Sequence, residues 1–260
     1  MTVLDKIVEK TKERVERDKK AGLSGLGGAL PPAPPRPPFL FEQALRRPGF
    51  HFICEVKKAS PSKGVIAGDF PYLDIARDYE AAGAAAISVL TEPEFFLGHD
   101  RYLSEIRRAV DTPLLRKDFT VDPFQIEQAA RLGADAVLLI CAILTRARIA
   151  EYIKEADRLG LSCLVEVHNE DEADAAVAAG ARIIGVNNRN LKTFEVDISL
   201  SERLAPKIPR EILFVSESGV QTPEDVRRAN EAGACAALIG ETLMRAPDKK
   251  AALAELRSRL

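Results

Sequence analysis

Past Pro48 the chain repeats one pattern eight times, a short apolar run rich in β-branched residues followed by a longer stretch, with no hairpin signal between successive runs. Runs joined by crossovers of this length pair in parallel. The strand readings are Phe52–Lys57, Ala85–Leu90, Leu114–Phe119, Ala136–Ile140, Ser162–His168, Ile183–Asn188, Leu213–Gly219 and Ala236–Gly240. Amphipathic stretches between them include Tyr72–Ala82, Pro123–Leu132, Arg146–Leu159, Glu170–Ala179 and Pro223–Ala232. Asp122-Pro123 and Thr222-Pro223 have the form of helix starts, a capping oxygen followed by a proline that needs no N–H partner. Gly83, Gly133, Gly180 and Gly233 close helices just before the next strand. An open doubly wound sheet would show the same alternation. The count of eight favours closure into a single α/β domain, a (β/α)8 TIM barrel over residues 39–260.

Ahead of the barrel, residues 1–38 form an amino-terminal segment. Val3, Leu4, Ile7, Val8 and Val15 recur at helical spacing among Lys, Arg and Glu, which predicts an extra amphipathic helix with one docking face and a solvated basic side. Ala21–Pro38, rich in Gly, Pro and Ala, predicts a partly stiff spacer crossing the barrel face.

Composition narrows the partners. With 37 basic against 39 acidic residues the net charge is −2, so no global field recruits nucleic acid or an anionic membrane, and any anion site must be local. No apolar stretch approaches the ~18 residues of a membrane span. The opening twenty residues are too charged for a signal peptide, so a cytoplasmic location is expected. Cys54, Cys141, Cys163 and Cys235 lack C-x-x-C spacing and read as reduced, buried thiols. No metal-ligand constellation and no dinucleotide fingerprint stands out, so neither a metal nor a cofactor is expected.

The chemistry shows where polar residues interrupt the apolar runs. Glu55 and Lys57 end the first strand, Lys117 falls near the end of the third, Glu166 of the fifth, Asn187 of the sixth and Glu217 of the seventh. Unpaired charges inside a core are costly. In a barrel the carboxyl ends of all strands converge on one mouth, where such residues meet substrate, water and each other. Side-chain parity agrees: Glu55 and Lys57 share a face, as do Leu115, Lys117 and Phe119, then Leu164, Glu166 and His168, then Val215, Glu217 and Gly219. Arg116 and Asp118 fit less well, since the same rule turns them toward the helices. His168 reads as a satisfied structural histidine.

At these residues the chain resembles the indole-3-glycerol phosphate synthase family. Glu55-Val-Lys-Lys-Ala-Ser-Pro-Ser-Lys-Gly64 is similar to the family's first-strand signature. Arg116-Lys117-Asp118-Phe119, Val165-Glu166-Val167-His168, Asn187-Asn188-Arg189-Asn190-Leu191, Ser216-Glu217-Ser218-Gly219 and Gly240-Glu241-Thr242-Leu243-Met244-Arg245 resemble its later motifs in order. The resemblance implies a phosphorylated small-molecule substrate, a carboxyphenylamino deoxyribulose 5-phosphate. Its ring carbon attacks the sugar ketone, after which carbon dioxide and water leave. Lys117 is then the implied general acid and Glu166 the base. Lys57 holds the carboxylate or shares the acid role, Glu55 and Glu217 orient the lysines and sugar hydroxyls, and Asn187 supplies hydrogen bonds. The phosphate is expected at the loops after strands seven and eight, on Ser218, Gly219, Gly240 and Glu241, where glycine lets backbone approach and helix starts offer N–H groups. There Glu241 is expected to offer its N–H alone, with the carboxylate turned away. Phe96, Phe119, Leu138 and Leu191 match the family's aromatic-ring pocket, with Ser60-Pro61 in the loop over the site and Arg189 in the motif at the end of the sixth strand.

The resemblance also makes association with other tryptophan-pathway enzymes an expectation. A phosphoribosylanthranilate isomerase would use a cysteine at strand one and an aspartate at strand six; here Cys54 takes the outward parity and Asn187 stands at the second place. A barrel that binds without turnover would lack the acid or the base, and both are present.

Overall fold

Eight strands pair in parallel with their sequence neighbours: β1 (His51–Val56), β2 (Ala86–Leu90), β3 (Leu114–Lys117), β4 (Ala136–Ile140), β5 (Ser162–Val167), β6 (Ile183–Asn187), β7 (Leu213–Glu217) and β8 (Ala236–Ile239). β8 also pairs with β1, His51 opposite Ala236 and Cys54 opposite Ile239, and the barrel is closed. An open sheet is excluded. The computed structural model describes residues 2–22, 36–191 and 193–260, so most of the spacer read at Ala21–Pro38 lies outside the described residues. Several strands end earlier than their apolar runs suggest. Lys57, Phe119, His168, Asn188, Gly219 and Gly240 lie one or two residues past the last strand position, in the loops of the mouth.

Alternation fills two cores. Ile53, Ala86, Leu115, Leu138, Leu164, Ile183, Val215 and Leu238 point into the barrel. Phe52, Cys54, Leu114, Val137, Cys163, Val165 and Ile184 point out and meet the helices. Along the chain these helices are α1 (Val3–Ala21), α2 (Leu40–Leu45), α3 (Tyr72–Ala81), α4 (Asp100–Ala109), α5 (Phe124–Leu132), α6 (Arg146–Arg158), α7 (Glu170–Ala178), α8 (Ser199–Leu204), α9 (Pro223–Glu231), α10 (Glu241–Arg245) and α11 (Lys249–Leu256). α2 packs Phe41 and Leu45 into the inner core, and its Glu42 N–H donates to Ser162 Oγ at the start of β5. It therefore plugs the end of the barrel opposite the mouth.

Helix α9 begins as its sequence predicts, with Pro223 in the first turn and a reciprocal cap between Thr222 and Asp225. At α5 the helix opens one residue later, at Phe124, and Asp122 accepts from the Phe124 N–H at 2.9 Å. Gly133 ends α5 with φ at +88°, a conformation that suits glycine.

The basic side of the amino-terminal helix is solvated at Lys6, Lys10, Lys12, Arg17, Lys19 and Lys20, and Arg14 is the exception. Ile7 and Val15 are buried as the docking face, but Arg14 Nη2 also reaches Asp118 Oδ1 at 2.6 Å and Lys19 Nζ reaches Asp122 Oδ2 at 2.6 Å. Asp118 and Arg116 do face the helical layer, and they are tolerated there because they are paired. Arg116 donates to the Gln125 carbonyl, Gln128 and Asp100, while Asp118 accepts from Thr91 Oγ1 and the Phe119 N–H. Burial alone pushes the Asp118 carboxyl up, yet Arg14 and Arg116 outweigh it and hold it below the usual aspartate range.

Candidate active site

The inward parity of β1, β3, β5, β6 and β7 delivers Glu55, Lys117, Glu166, Asn187 and Glu217 to one mouth. Lys57, one residue past β1, joins them. The strand register sets their heights: Ile140 lies opposite Glu166, Asn187 opposite Glu217, and Glu217 opposite Leu238. Lys117 Nζ sits 2.9 Å from Glu166 Oε2 and 2.9 Å from Glu217 Oε2, bridging two strands that are not its neighbours. Lys57 Nζ is 2.5 Å from Glu55 Oε1, and Ser88 Oγ donates to Glu55 Oε2 at 3.4 Å.

Both carboxylates on Lys117 are almost fully buried, at 4% and 2% side-chain exposure. That burial splits them. For Glu166, burial pushes upward but Lys117 and His168 prevail, and the group is held well below the usual carboxylate range. For Glu217, burial and the nearby Glu166 charge outweigh Lys117, so its proton affinity rises. Burial drives Lys117 toward the neutral amine, but Glu166, Glu217 and Glu55 more than reverse this and keep it an ammonium. The mouth thus holds a cationic proton donor beside an ionised acceptor.

A cavity of about 150 Å³ lies over this cluster. Its lining includes Glu55, Lys57, Ser60, Pro61, Phe96, Lys117, Phe119, Leu138, Glu166, Asn187, Arg189, Leu191, Glu217, Ser218 and Glu241. These are the residues singled out from sequence, save for the two glycines. Phe96 and Phe119 face each other with ring centroids 6.0 Å apart, forming an apolar slot beside the charges. Ser60 and Pro61 belong to a small hairpin in which Ala59–Ser60 pairs with Gly64–Val65. Asn187 Oδ1 accepts from the Arg189 N–H, and the Arg189 guanidinium donates to the Phe194 carbonyl.

Protein neighbours leave no room for a side chain at Gly240 or Gly219, and Gly219 also has a φ of +86° that suits glycine. A Cβ on Gly240 would lie 2.5 Å from Glu55 Oε1 and 2.8 Å from Lys57 Nζ, and one on Gly219 would lie 2.5 Å from Val196 Cγ1. Glu241 pairs with Arg245 in its own helix at 3.1 Å and lies 3.8 Å from Lys63.

Sequence reasoning passed over Ser62, Leu90, Ile140, Phe194 and Leu238, which also line the cavity. Ile140 and Leu238 could have been found, since each shares inward parity with a residue two positions before it. Phe194 could not: it arrives through a loop in which its own φ is +62° and its N–H donates to the Asn190 carbonyl. His168 is the substantive omission. Its Nε2 lies 3.2 Å from Glu166 Oε1 and its Nδ1 lies 3.0 Å from Glu172 Oε2. A larger open hollow of about 980 Å³, near Pro206, Pro209, Phe214 and Arg228, lies by the start of β7 and away from these groups.

A closed parallel barrel with paired lysines and carboxylates at its carboxyl mouth defines an acid–base enzyme of the (β/α)8 class. Solved structures agree on the fold: an N-acetylmannosamine-6-phosphate 2-epimerase from Clostridium perfringens has a TM-score of 0.60 at 15% identity, covering 75% of this chain and 88% of that one. 3-Hexulose-6-phosphate synthase gives 0.64 at 17% identity, covering 81% of this chain and 100% of that one. The family model described as indole-3-glycerol phosphate synthase matches residues 4–256. Curated relatives of that name come from Ruminiclostridium cellulolyticum, 58% identical over 98% of both chains, and Lachnoclostridium phytofermentans, 50% identical over 99% of this chain and 100% of that one. The chain belongs to the indole-3-glycerol phosphate synthase family.

Proposed function

We propose that Lys117 is the general acid and Glu166 the general base in the family's reaction. That reaction is a carbon–carbon lyase step of tryptophan biosynthesis. It closes the ring of 1-(2-carboxyphenylamino)-1-deoxyribulose 5-phosphate, with loss of carbon dioxide and water, to give indole-3-glycerol phosphate. As the aromatic carbon attacks the ketone, the oxygen gains charge and takes a proton from the Lys117 ammonium. The ring recovers aromaticity as its carboxylate departs as carbon dioxide, and Glu166 accepts the C–H proton lost from the methylene beside nitrogen when water is eliminated. Glu217 shares Lys117 with Glu166 and, with its raised proton affinity, can exchange a proton with the lysine between steps.

Lys57, held by Glu55, meets the substrate carboxylate or serves as acid in the dehydration. Asn187 hydrogen-bonds the sugar, Arg189 braces the loop after β6, and the slot of Phe96, Phe119, Leu138 and Leu191 takes the anthranilate ring. Ser60 and Pro61 cover it. The phosphate goes to the loops after β7 and β8, on Ser218, Gly219, Gly240 and the Glu241 N–H. A cavity of about 150 Å³ is smaller than an ordinary ligand pocket of roughly 300 Å³ or more, so the covering loops give way as substrate enters. A cytoplasmic location and association with other pathway enzymes follow from the pathway and belong to the same proposal.

The observation that carries the role assignment is the 2.9 Å contact of Lys117 with both Glu166 and Glu217. The test uses the protein's lack of tryptophan: indole fluorescence should rise from a dark background when the pure chain meets the carboxyphenylamino sugar phosphate. Lys117→Ala and Glu166→Gln should each slow turnover by ~100-fold or more with substrate affinity nearly intact. Unchanged turnover in both variants removes the role assignment.

A further inference from the structure

We propose that His168, braced by Glu172, is a positioning residue that holds the Glu166 carboxylate in register with Lys117. The proposal rests on the reading of Glu166 as the base. Glu166 uses its two oxygens differently: Oε2 meets Lys117 at 2.9 Å and Oε1 meets His168 Nε2 at 3.2 Å. The imidazole is anchored from behind. Glu172, in the first turn of α7, accepts from the His168 backbone N–H at 2.8 Å and lies 3.0 Å from Nδ1. Glu172 is itself fixed by Asn169, whose side chain donates to it and caps its helix.

Nδ1 hydrogen-bonds Glu172, while Nε2 lies at ion-pair distance from Glu166 Oε1 without hydrogen-bond alignment, so the hold of the ring on Glu166 is one of charge. Burial favours the neutral ring, but Glu166 and Glu172 reverse that and push His168 up to about 10. The groups around it are Glu166 from β5, Glu172 from α7, Lys117 from β3 beyond Glu166, and Cys141 after β4. Burial, with the Glu172 and Glu166 charges, pushes that thiol up to about 12, so it stays neutral.

With a cation beside each oxygen, Glu166 is favoured in its ionised form and drawn toward this orientation. In the dehydration a C–H bond of the methylene beside nitrogen breaks, its proton goes to Glu166 and the hydroxyl leaves as water; no proton passes through His168. The histidine that reads as structural in sequence thus sets the state of the base.

The test compares kcat, KM and the pH profile of the full chain with those of His168→Gln, Glu172→Gln, Glu166→Gln and the His168→Gln/Glu166→Gln double variant. His168→Gln should lower kcat by ~10-fold or more with KM within about threefold, and move the acid limb of kcat/KM up by about one pH unit. Glu172→Gln should lower kcat in the same way by less and leave the limb in place, because His168 stays protonated throughout the acid range. In the Glu166→Gln background, His168→Gln should cost less than about twofold more, because the group it positions is already gone. A His168→Gln enzyme with wild-type kcat and an unmoved limb overturns the role. So does a further tenfold loss on top of Glu166→Gln, which would mark general structural damage. Should His168→Gln fail to fold, Glu172→Gln decides, a wild-type kcat there being fatal. Wild-type turnover in Glu166→Gln sinks the base assignment and this proposal together, whereas an inactive Glu166→Gln beside an unaltered His168→Gln sinks only the positioning role.

Discussion

Gly185 lies in β6 opposite Glu166 in β5 and Val215 in β7, and a Cβ built on it would fall 1.9 Å from Glu217 Oε1. The missing side chain is a slot for a carboxylate. In Gly185→Ala the flexible end of Glu217 gives way before the strand does, and it swings off Lys117. Turnover should fall by about 10- to 100-fold while the melting temperature moves by only a few degrees, which activity and thermal unfolding measured on one preparation will show. Unchanged turnover would mean that Glu217 is dispensable where it stands. At this scale much of the site is legible from sequence. Lys117, Glu166 and Glu217 announce themselves as charges in apolar runs, and parity aims them together. Gly185 is silent because a glycine in an apolar strand does not say which neighbour needs its space. The partner of His168 is silent in sequence because Glu172 sits on the following helix, and only the fold turns that helix's first turn back against the strand end.

Helix α1 is legible as a helix but not in its attachment. Its apolar spacing shows that one face docks; nothing in that spacing says that Arg14 continues the dock through a charge. The reason is that Asp118, the receiving group, lies beyond β3 and is revealed as a helix-facing residue only when the strand is placed. Arg14→Ala should destabilise the fold by about 1–3 kcal/mol in denaturant unfolding, because Asp118 retains Thr91, the Phe119 N–H and Arg116 but loses its nearest cation. Lys19→Ala, at an exposed pair, should change little. The pH dependence has a definite sign. A carboxyl with a depressed folded pKa contributes stability above its unfolded value of about 3.9 and loses it as pH falls further. The gap between wild type and Arg14→Ala should therefore narrow below about pH 4; a gap that is constant with pH would assign the loss to packing.

Across the whole molecule, the eight-fold alternation foretells the barrel, and the structure supplies what alternation leaves open, namely closure and the α2 plug. Closure gathers the site from five strands, so the bound state should be more stable than the free one throughout the barrel. A substrate analogue with its ketone reduced, at 100 times its Kd, should add about 2.7 kcal/mol. For a domain of this size that raises the melting temperature by roughly 5–10 °C. A shift confined to a minor phase of a two-step melt would show that the mouth unfolds on its own. The pairing of β8 with β1 also bears on synthesis. The first strand leaves the ribosome with one flank bare and waits for nearly the entire polypeptide before its final neighbour emerges. Until then Glu55 and Lys57 have no Gly240 beside them, and a sticky backbone edge stands open to other nascent chains. Competence in this enzyme arrives late and all together, with the last strand to be translated.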